Sequence, residues 1–401
     1  MTTLDYQTAG ESHGPGLITI VTGMPAGVPI DEDQINTELA RRQGGYGRGG
    51  RQRIETDRVE FLSGVRLGKT LGSPIAMRVA NKDSRMDDAE RTPPVYRPRP
   101  GHADLAGSLK WLTTDCRGTL ERASARETAA RVAAGALARG FLGLFGIEVF
   151  GFVRRVGSAA TDVVVTAERW QTLKAAREAS ETYCPDAEAT KRQIEVIRNA
   201  KVEKDTAGGL CEAHVFGVPP GLGSCVDWRA KLDARLAYAV MSIQAFKSVE
   251  IGLGRKVAEL PGSQVHDPIR FDRARADEPG LGFVRESNNA GGIEGGMTNG
   301  QPVVVTGAMK PISTLLRGLP SVDLNTKEAQ QSDYERSDVC AVSAASVVME
   351  NMVAFEIARA FLEKTGGDSL AEVQAHHDAY MQLVRILPLE PPLMTLAEGK
   401  E

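Results

Sequence analysis

The spacing of apolar and polar residues along the chain predicts an alternation of strands and helices. Short apolar runs between glycines and prolines are typical of strands, and apolar residues that recur at every third or fourth position are typical of helices. The predicted strands are 17–21, 53–66, 74–80, 147–153, 210–218 and 301–310. The predicted helices are 31–43, 124–144, 166–204, 232–245, 337–364 and 368–387. Residues 82–101 are polar and rich in proline, which predicts a loop.

Two long helices have recognisable start and stop signals. Ser124 and Glu127 have the spacing of a capping box, in which a hydroxyl and a carboxylate bind free backbone N–H groups at a helix start. Ser337 or Asp338 is predicted to cap the second long helix. Glycines follow both helices, as expected at helix ends. The tail after about residue 388 is predicted to be frayed.

The two helix starts are similar in sequence. Glu121-Arg-Ala-Ser124 and Glu335-Arg-Ser-Asp338 both place Glu-Arg and a small residue before a capping side chain. Duplication of one β/α unit explains this echo, and coincidence at two helix starts is the alternative. No linker-like tract separates two halves, so residues 1–401 are predicted to form a single α+β domain.

The composition is that of a folded globular protein. Of 401 residues, 42% are hydrophobic and 25% are charged, which excludes intrinsic disorder of the whole chain. The formal net charge of −4 excludes a generally basic nucleic-acid-binding protein, although it leaves a local basic patch open. The 42 glycines and the 5% of aromatic residues favour tight turns and close backbone approach to a ligand over base stacking.

The cysteines and the N-terminus favour a reducing compartment. Five widely spaced cysteines without a C-x-x-C pair argue against a disulfide framework and a zinc site. No metal site is predicted, because His376 and His377 are adjacent on a predicted helix and point apart. No signal peptide is visible, and the most apolar stretch, 132–153, carries Arg139 and Glu148. We therefore expect a cytoplasmic protein without a membrane span.

Clusters of arginine, histidine and glycine carry the candidate chemistry. His13 lies in a glycine-rich turn, where it is either an acid or base near neutral pH or a surface histidine. Arg42 and Arg48 lie in a segment, 41–66, with seven arginines and three acids. This segment contains G-x-G-x-x-G, but a polar helix precedes it instead of a strand, so we reject a dinucleotide fingerprint. An anion-binding loop and a solvated basic loop remain open.

Three further segments extend this pattern. His102 follows two arginines on a proline-stiffened stretch and precedes an aspartate, as an oriented acid or base would. Arg126 lies at a predicted helix start, a favourable place for an anion. The glycine-rich stretch 291–300, Lys310 with two hydroxyls, and Asp338 look like a second phosphate-binding set without a Walker pattern. Together these clusters predict a pocket for a polyanionic small molecule and a phosphorylated cofactor.

At this point the chain resembles the chorismate synthase family. Its hallmark stretches are similar to 10–27, 121–137 and 336–350, and shorter matches are 42–48, 97–104, 291–300 and 310–314. The resemblance extends from Thr8 to about Leu370. The departures are small: Thr22 stands where the family usually has Asp, and Ala123 stands where Ser is common.

The resemblance implies a reaction and an architecture. The reaction is the 1,4-elimination of phosphate from 5-enolpyruvylshikimate 3-phosphate to give chorismate, with reduced flavin mononucleotide (FMN) as cofactor and no net redox change. The substrate carries two carboxylates and a phosphate, which suits arginine clamps. The architecture is a β/α/β sandwich with internal duplication, usually assembled as a homotetramer.

The resemblance also implies roles for single residues. His13 would protonate the leaving phosphate, His102 would balance charge beside the flavin ring, and Asp338 would help the flavin N5 to accept the substrate proton. The implied FMN contacts are Arg122, Ala123, Ser124, Gln244, Ala245, Gly295, Lys310, Pro311, Ile312, Ser313, Thr314 and Arg336. Arg42, Arg48 and Arg126 are the expected anion clamps. The family ascribes the first two to NADPH, so substrate and NADPH both stay open as their ligand.

Two alternatives remain from the sequence. One is a different flavin-dependent enzyme that acts on another phosphorylated acid. The other is an RNA-binding protein that uses the Arg48-Gly-Gly-Arg51 segment, which predicts strongly salt-dependent RNA affinity. No separate reductase module is visible, so we expect reduced flavin to be supplied from outside.

Overall fold

A computed structural model describes residues 3–50, 54–335 and 337–387 and contains both helices and strands. The strands in chain order are β1 (Asp5–Ala9), β2 (Gly16–Thr22), β3 (Val59–Phe61), β4 (Val65–Arg66), β5 (Lys69–Thr70), β6 (Ile75–Ala80), β7 (Glu148–Val156), β8 (Ala159–Ala160), β9 (Gly209–Phe216), β10 (Phe246–Ile251), β11 (Ile269–Phe271), β12 (Phe283–Arg285), β13 (Ile293–Glu294), β14 (Met297–Thr298), β15 (Val303–Met309), β16 (Pro320–Val322) and β17 (Ala329–Gln331). The helices are α1 (Glu32–Gln43), α2 (Asp104–Trp111), α3 (Arg117–Ala123), α4 (Thr128–Gly143), α5 (Trp170–Glu178), α6 (Ala187–Val202), α7 (Leu232–Met241), α8 (Gly262–Val265), α9 (Val342–Thr365) and α10 (Leu370–Arg385).

Two antiparallel sheets flank a layer of helices. The first sheet has the strand order β1-β2-β6-β3, and the second has the order β10-β15-β9-β7-β8. Helix α4 packs on β2 and β6 of the first sheet, and α9 packs on β7 and β9 of the second. The two helices also pack on each other, so one apolar core runs from the first sheet through the helices to the second.

The helix predictions succeed where periodicity is strong. Helix α1 follows Asp31, whose side chain accepts a hydrogen bond from the backbone N–H of Gln34, and α10 follows Ser369 in a complete capping box with Glu372. The single polar helix expected over 166–204 is instead two helices, α5 and α6. The chain turns between them, and Asp186 caps the second.

The capping-box prediction at Ser124 is wrong. The Ser124 hydroxyl accepts from the backbone N–H of Arg126 within a short 3-10 turn, and α4 begins only at Thr128. The Glu127 carboxylate accepts hydrogen bonds from Thr8 and Gln244 instead of closing the box. The Glu127 carboxylate, which the local sequence assigns to the helix start, therefore binds residues that are distant in sequence.

The cap predicted for the second long helix is also wrong. Helix α9 begins at Val342, and no side chain caps it. Asp338 lies four positions earlier and accepts a hydrogen bond from the backbone N–H of Gly49 at 2.6 Å. Residues 53, 336 and 388–401 lie outside the described residues, so part of the predicted strand 53–66 and the predicted frayed tail do as well.

Candidate active site

A cavity of about 490 Å³ gathers most of the predicted site residues. Its walls include the following predicted residues: Arg42, Arg48, His102, Ala123, Ser124, Arg126, Gln244, Ala245, Lys310, Ile312, Ser313, Thr314 and Asp338. Segments far apart in sequence meet here: Thr128 at the start of α4 and Ala344 and Ala345 at the start of α9 line the same cavity, and the two helices pack on each other. A larger groove of about 1660 Å³ lies over the outer face of the second sheet, and of the described site predictions only Pro311 lines it.

One buried carboxylate holds two of the arginines. Asp57 accepts a hydrogen bond from Arg42 at 2.7 Å and two from Arg126, each at 2.7 Å. Burial alone would raise the pKa of Asp57, but the two guanidinium groups hold it below its usual value. Burial lowers the pKa of Arg42 to about 10; Asp57 opposes this shift, and Arg126 and Arg48 add to it. A second buried carboxylate, Glu55, lies 3.8 Å from Arg126, so this arginine pair is balanced by two acids. Among the described residues, five Arg and Lys side chains line the cavity against three carboxylates, which gives the wall the excess of positive charge that an anion site requires.

The third arginine forms an ion pair across the cavity wall. Arg48 lies 2.8 Å from the Asp338 carboxylate, which also accepts from the backbone of Gly49. The loop before it packs closely on the start of α9. Gly45 has φ +99°, and a Cβ there would lie 2.4 Å from the Cβ of Ser343, so only glycine fits.

His102 is oriented by a buried carboxylate and an arginine. Its Nδ1 hydrogen-bonds to Asp104, and an Arg99 guanidinium nitrogen lies 3.0 Å from the same ring atom. Arg99 also donates to Asp104 at 2.8 Å and to the Thr314 hydroxyl at 2.9 Å. Burial raises the pKa of Asp104, but hydrogen bonds from His102 and Arg99 outweigh it and hold the carboxyl well below its usual range.

The segment 310–314 is anchored to the His102 loop and to Ala245. Lys310 Nζ donates to the Gly101 carbonyl at 2.5 Å and to the Ser313 hydroxyl at 3.1 Å. The Lys310 backbone N–H donates to the Ala245 carbonyl at 2.9 Å. Burial and the charge of Lys247 both lower the pKa of Lys310. A lysine and several hydroxyls are thus collected at one wall.

His13 lies beside the cavity on the chain between β1 and β2. Its Nδ1 lies 2.9 Å and 3.0 Å from the two carboxylate oxygens of Glu121 in α3. Its Nε2 lies 3.4 Å from an Arg85 guanidinium nitrogen and 3.9 Å from the Asp83 carboxylate. The neighbouring Ser12 does line the cavity.

Three predicted flavin contacts are not part of this wall. Arg122 is turned outward and donates to the backbone carbonyls of Thr8 and Gly10. Gly295 lies exposed at the tip of the β13–β14 hairpin, and Pro311 borders the larger groove. Arg336 lies outside the described residues. Their assignment as flavin contacts stays a prediction.

Sequence reasoning missed the carboxylates that organise the site. Asp57 appeared only as one acid within a basic segment, and Glu121 only as part of a helix echo. Asp104 is recognisable from the sequence because it lies two residues from His102, whereas Glu121 lies 108 positions from His13. Closeness in sequence reveals the pair of His102 and Asp104, but it gives no sign of pairs such as His13 and Glu121, whose members lie far apart along the chain.

Within the described residues there is no cluster of three or more His, Cys, Asp or Glu side chains that could hold a metal ion. Among the helices of those same ranges, none is long and apolar enough to cross a membrane.

Comparison with known proteins gives one consistent result. Residues 4–362 match the family model described as chorismate synthase. A chorismate synthase from Geobacter metallireducens is 55% identical over 393 residues, which is 95% of this chain and 99% of the relative. One from Desulforamulus reducens is 52% identical over 391 residues, with the same coverage. A crystal structure of chorismate synthase is 41% identical, covers 96% of this chain and 99% of its own, and superposes with a TM-score of 0.78.

Proposed function

The chain belongs to the chorismate synthase family, and from this premise we propose that the 490 Å³ cavity is its active site. The protein is a carbon–oxygen lyase that eliminates phosphate from 5-enolpyruvylshikimate 3-phosphate to give chorismate in the shikimate pathway. The observation that carries the site assignment is the convergence of Arg42, Arg48 and Arg126 with His102 and Asp338 on one cavity.

The arginines bind the anionic substrate. Arg42 and Arg126 both bind Asp57, and Glu55 lies 3.8 Å from Arg126, so the two arginines present donors while the wall as a whole supplies the positive charge for a substrate carboxylate or phosphate. Arg48 is paired with Asp338, and an incoming anion competes for that guanidinium. NADPH is the other candidate ligand for Arg42 and Arg48, and the substrate is at least as good a partner for both.

His13 and Asp338 handle protons. We assign to His13 Nε2 the donation of a proton to the leaving phosphate, because Arg85 beside it adds a positive charge for the same group. We assign to the Asp338 carboxylate a part in removing the substrate proton. His102, held by Asp104, supplies a positive or hydrogen-bonding edge to the cavity.

The cavity residues fit reduced FMN. Among the described residues, Gln244 Oε1 and the Nε atoms of Arg42 and Arg48 are buried without a hydrogen-bond partner, so the wall has unused polar atoms for a polar ligand. Lys310 and the hydroxyls of Ser313 and Thr314 suit its phosphate. When bound, reduced FMN supplies electron density to the substrate and regains it, so the reaction has no net redox change.

The finer architecture supports an internal duplication. Helix α4 begins four residues after Ser124, and α9 begins four residues after Asp338, so the sequence echo precedes both central helices at one spacing. Glu121 and Glu335, the first residues of the two echoes, both pair with Arg117. We propose a single-domain β/α/β sandwich over 1–401 that arose from one β/α unit.

We also propose that the protein is cytoplasmic and forms a homotetramer. Sedimentation of the purified protein would test the oligomeric state.

An anaerobic assay tests the proposal directly. The protein is mixed with 5-enolpyruvylshikimate 3-phosphate and chemically reduced FMN while chorismate absorbance and released phosphate are followed. We expect both signals to rise together, and only with reduced flavin. Replacing reduced FMN by oxidised FMN and NADPH decides whether the chain reduces its own flavin. Flavin binding without product would point to another phosphorylated acid as substrate.

A further inference from the structure

Glu121 is a buried carboxylate aimed at one ring atom of His13. Its side chain is fully enclosed, and its two oxygens lie 2.9 Å and 3.0 Å from His13 Nδ1. The carboxylate also accepts a hydrogen bond from the backbone N–H of His13 at 2.8 Å. Glu121 therefore grips both the main chain and the ring of the same residue.

This grip determines which ring nitrogen carries a proton. Burial raises the pKa of Glu121, but the hydrogen bonds from His13 outweigh it and leave the carboxyl below its ordinary value. An ionised carboxylate only accepts hydrogen bonds, so Nδ1 must be protonated. In the neutral ring Nε2 then has a lone pair, and in the charged ring Nε2 carries the proton that can be given away.

Glu121 is itself held in place from both halves of the fold. Arg117 lies 3.5 Å from Glu121 and 2.7 Å from Glu335, which lines the cavity just before Asp338. Arg117 Nε also donates to the Pro93 carbonyl at 2.8 Å. The charged groups around the ring in the described residues are thus Glu121 from α3, and Asp83 and Arg85 from the loop after β6.

We propose that Glu121 is a positioning residue that fixes the Nδ1–H tautomer and the ring orientation of His13, so that Nε2 is the atom that exchanges a proton in the active site. This inference deepens the proposed function, because it rests on His13 as the proton donor. The chain offers a matched control in Glu212, whose carboxylate lies 2.7 Å from His214 Nε2 on the second sheet and away from the cavity.

Magic-angle-spinning 15N spectra of histidine-labelled protein test the tautomer without any turnover. The chain has six histidines, and the His13→Ala spectrum assigns the missing signals. We expect wild-type Nδ1 of His13 to be protonated at mildly alkaline pH, in the neutral or the charged ring. In Glu121→Ala the bare-Nδ1 form should appear, whereas Glu212→Gln should leave His13 unchanged. A bare Nδ1 in the wild-type protein overturns the proposal.

Kinetics test whether the tautomer matters. In Glu121→Ala we expect kcat to fall roughly 10- to 100-fold with KM little changed, the scale of carboxylates that orient a functional histidine. Glu121→Gln keeps one acceptor oxygen, so its kcat should lie between those of wild type and Glu121→Ala. The kcat of Glu212→Gln should match that of wild type. A kcat for Glu121→Ala within about threefold of wild type, while His13→Ala loses roughly 10²-fold, overturns this inference alone. A fully active His13→Ala overturns the proposed role of His13, and the spectra still decide the tautomer.

Discussion

At the scale of single residues, the site concentrates charge that is only partly compensated. Asp57 binds Arg42 and Arg126, Glu55 lies near Arg126, and Asp338 binds Arg48. Among the described residues that line the cavity, five Arg and Lys side chains stand against three carboxylates. Such an arrangement stores little energy in the empty protein, because buried arginines are costly without full pairing. It makes anion binding favourable, because an incoming carboxylate or phosphate supplies the missing negative charge.

Arg42→Ala tests this arrangement. We expect KM for the substrate to rise roughly 10- to 100-fold, since a charge-assisted hydrogen bond contributes about 1.5–3 kcal/mol. Folding should be little affected, because Arg126 keeps its two hydrogen bonds to Asp57. Initial rates over a range of substrate concentrations measure the effect.

Arg58→Ala is the matched control for that measurement. Arg58 directly follows Asp57 in sequence, but it is exposed. The Arg58→Ala substitution should therefore leave KM for the substrate unchanged. Equal rises in KM for both variants would mean that overall charge, and not the geometry at Asp57, governs substrate binding.

At the scale of elements, a buried ion cluster ties the helix layer together. Glu350 of α9 is fully buried and pairs with Arg41 of α1, Arg139 of α4 and Arg177 near the end of α5. Burial raises the pKa of Glu350, but the three arginines outweigh it and hold the carboxyl well below its usual range. The cluster therefore joins four helices through one carboxylate.

Removing that carboxylate should be strongly destabilising. Glu350→Ala leaves three buried guanidinium groups without their shared partner, and we expect the free energy of unfolding to fall by about 3–5 kcal/mol. Urea denaturation measures it. Glu363→Ala, on the same helix with a 40% exposed side chain, should cost about 1 kcal/mol or less. Similar losses in both variants would contradict a special role for the buried cluster.

The second sheet offers a pH-dependent element. Glu212 of β9 accepts hydrogen bonds from Arg154 of β7 at 2.6 Å and 2.8 Å, and His214 lies 2.7 Å away. Burial raises the pKa of Glu212, but His214 and Arg154 outweigh it and bring it to about 2, against an ordinary 4.5. A lowered folded-state pKa contributes stability that is present above pH 4.5 and is lost as pH falls toward 2.

Glu212→Gln should therefore make the free energy of unfolding less dependent on pH in the acid range. The difference in unfolding free energy between wild type and this variant should shrink on the order of 1 kcal/mol between about pH 6 and about pH 4. Urea titrations at both pH values measure it. Glu188→Gln removes the exposed pair with Lys191 and should show no such trend. A constant difference for Glu212→Gln would contradict the lowered pKa.

The sequence predicts an element well when local interactions stabilise it, and poorly when contacts between distant segments do. The pattern of apolar and polar positions predicted α1 and α10 well, and the structure shows that local caps hold both, because Asp31 and Ser369 bind N–H groups within their own helices. The caps expected at Ser124 and Asp338 are wrong, because both side chains bind residues distant in sequence. The Ser124 hydroxyl donates to Ser12, and the Asp338 carboxylate accepts from the backbone of Gly49. The arginines and His102 were found from their types and neighbours, whereas Asp57 and Glu121 act across the fold and left no local pattern.

At the scale of the whole molecule, the contact between α4 and α9 joins the two sheets and brings both sides of the site together. Arg126 lies just before α4, and Asp338 lies just before α9. The helices approach so closely at Gly135 that a Cβ there would lie 2.4 Å from the Asn351 carbonyl oxygen. Backbone of another helix cannot yield as a flexible side chain would, so the two helices would have to separate.

Gly135→Ala should therefore affect stability and binding together. We expect a loss of about 1–3 kcal/mol in unfolding free energy from overpacking, although alanine favours helix formation. The shift should also weaken binding of oxidised FMN, because the two walls of the cavity follow the two helices. Gly143→Ala, at the end of α4 with open space around its Cβ, should be neutral or slightly stabilising. Thermal unfolding and flavin-fluorescence titration of both variants measure the two effects. If Gly135→Ala lost stability but bound flavin as wild type does, the helix contact would hold the fold without setting the spacing of the site.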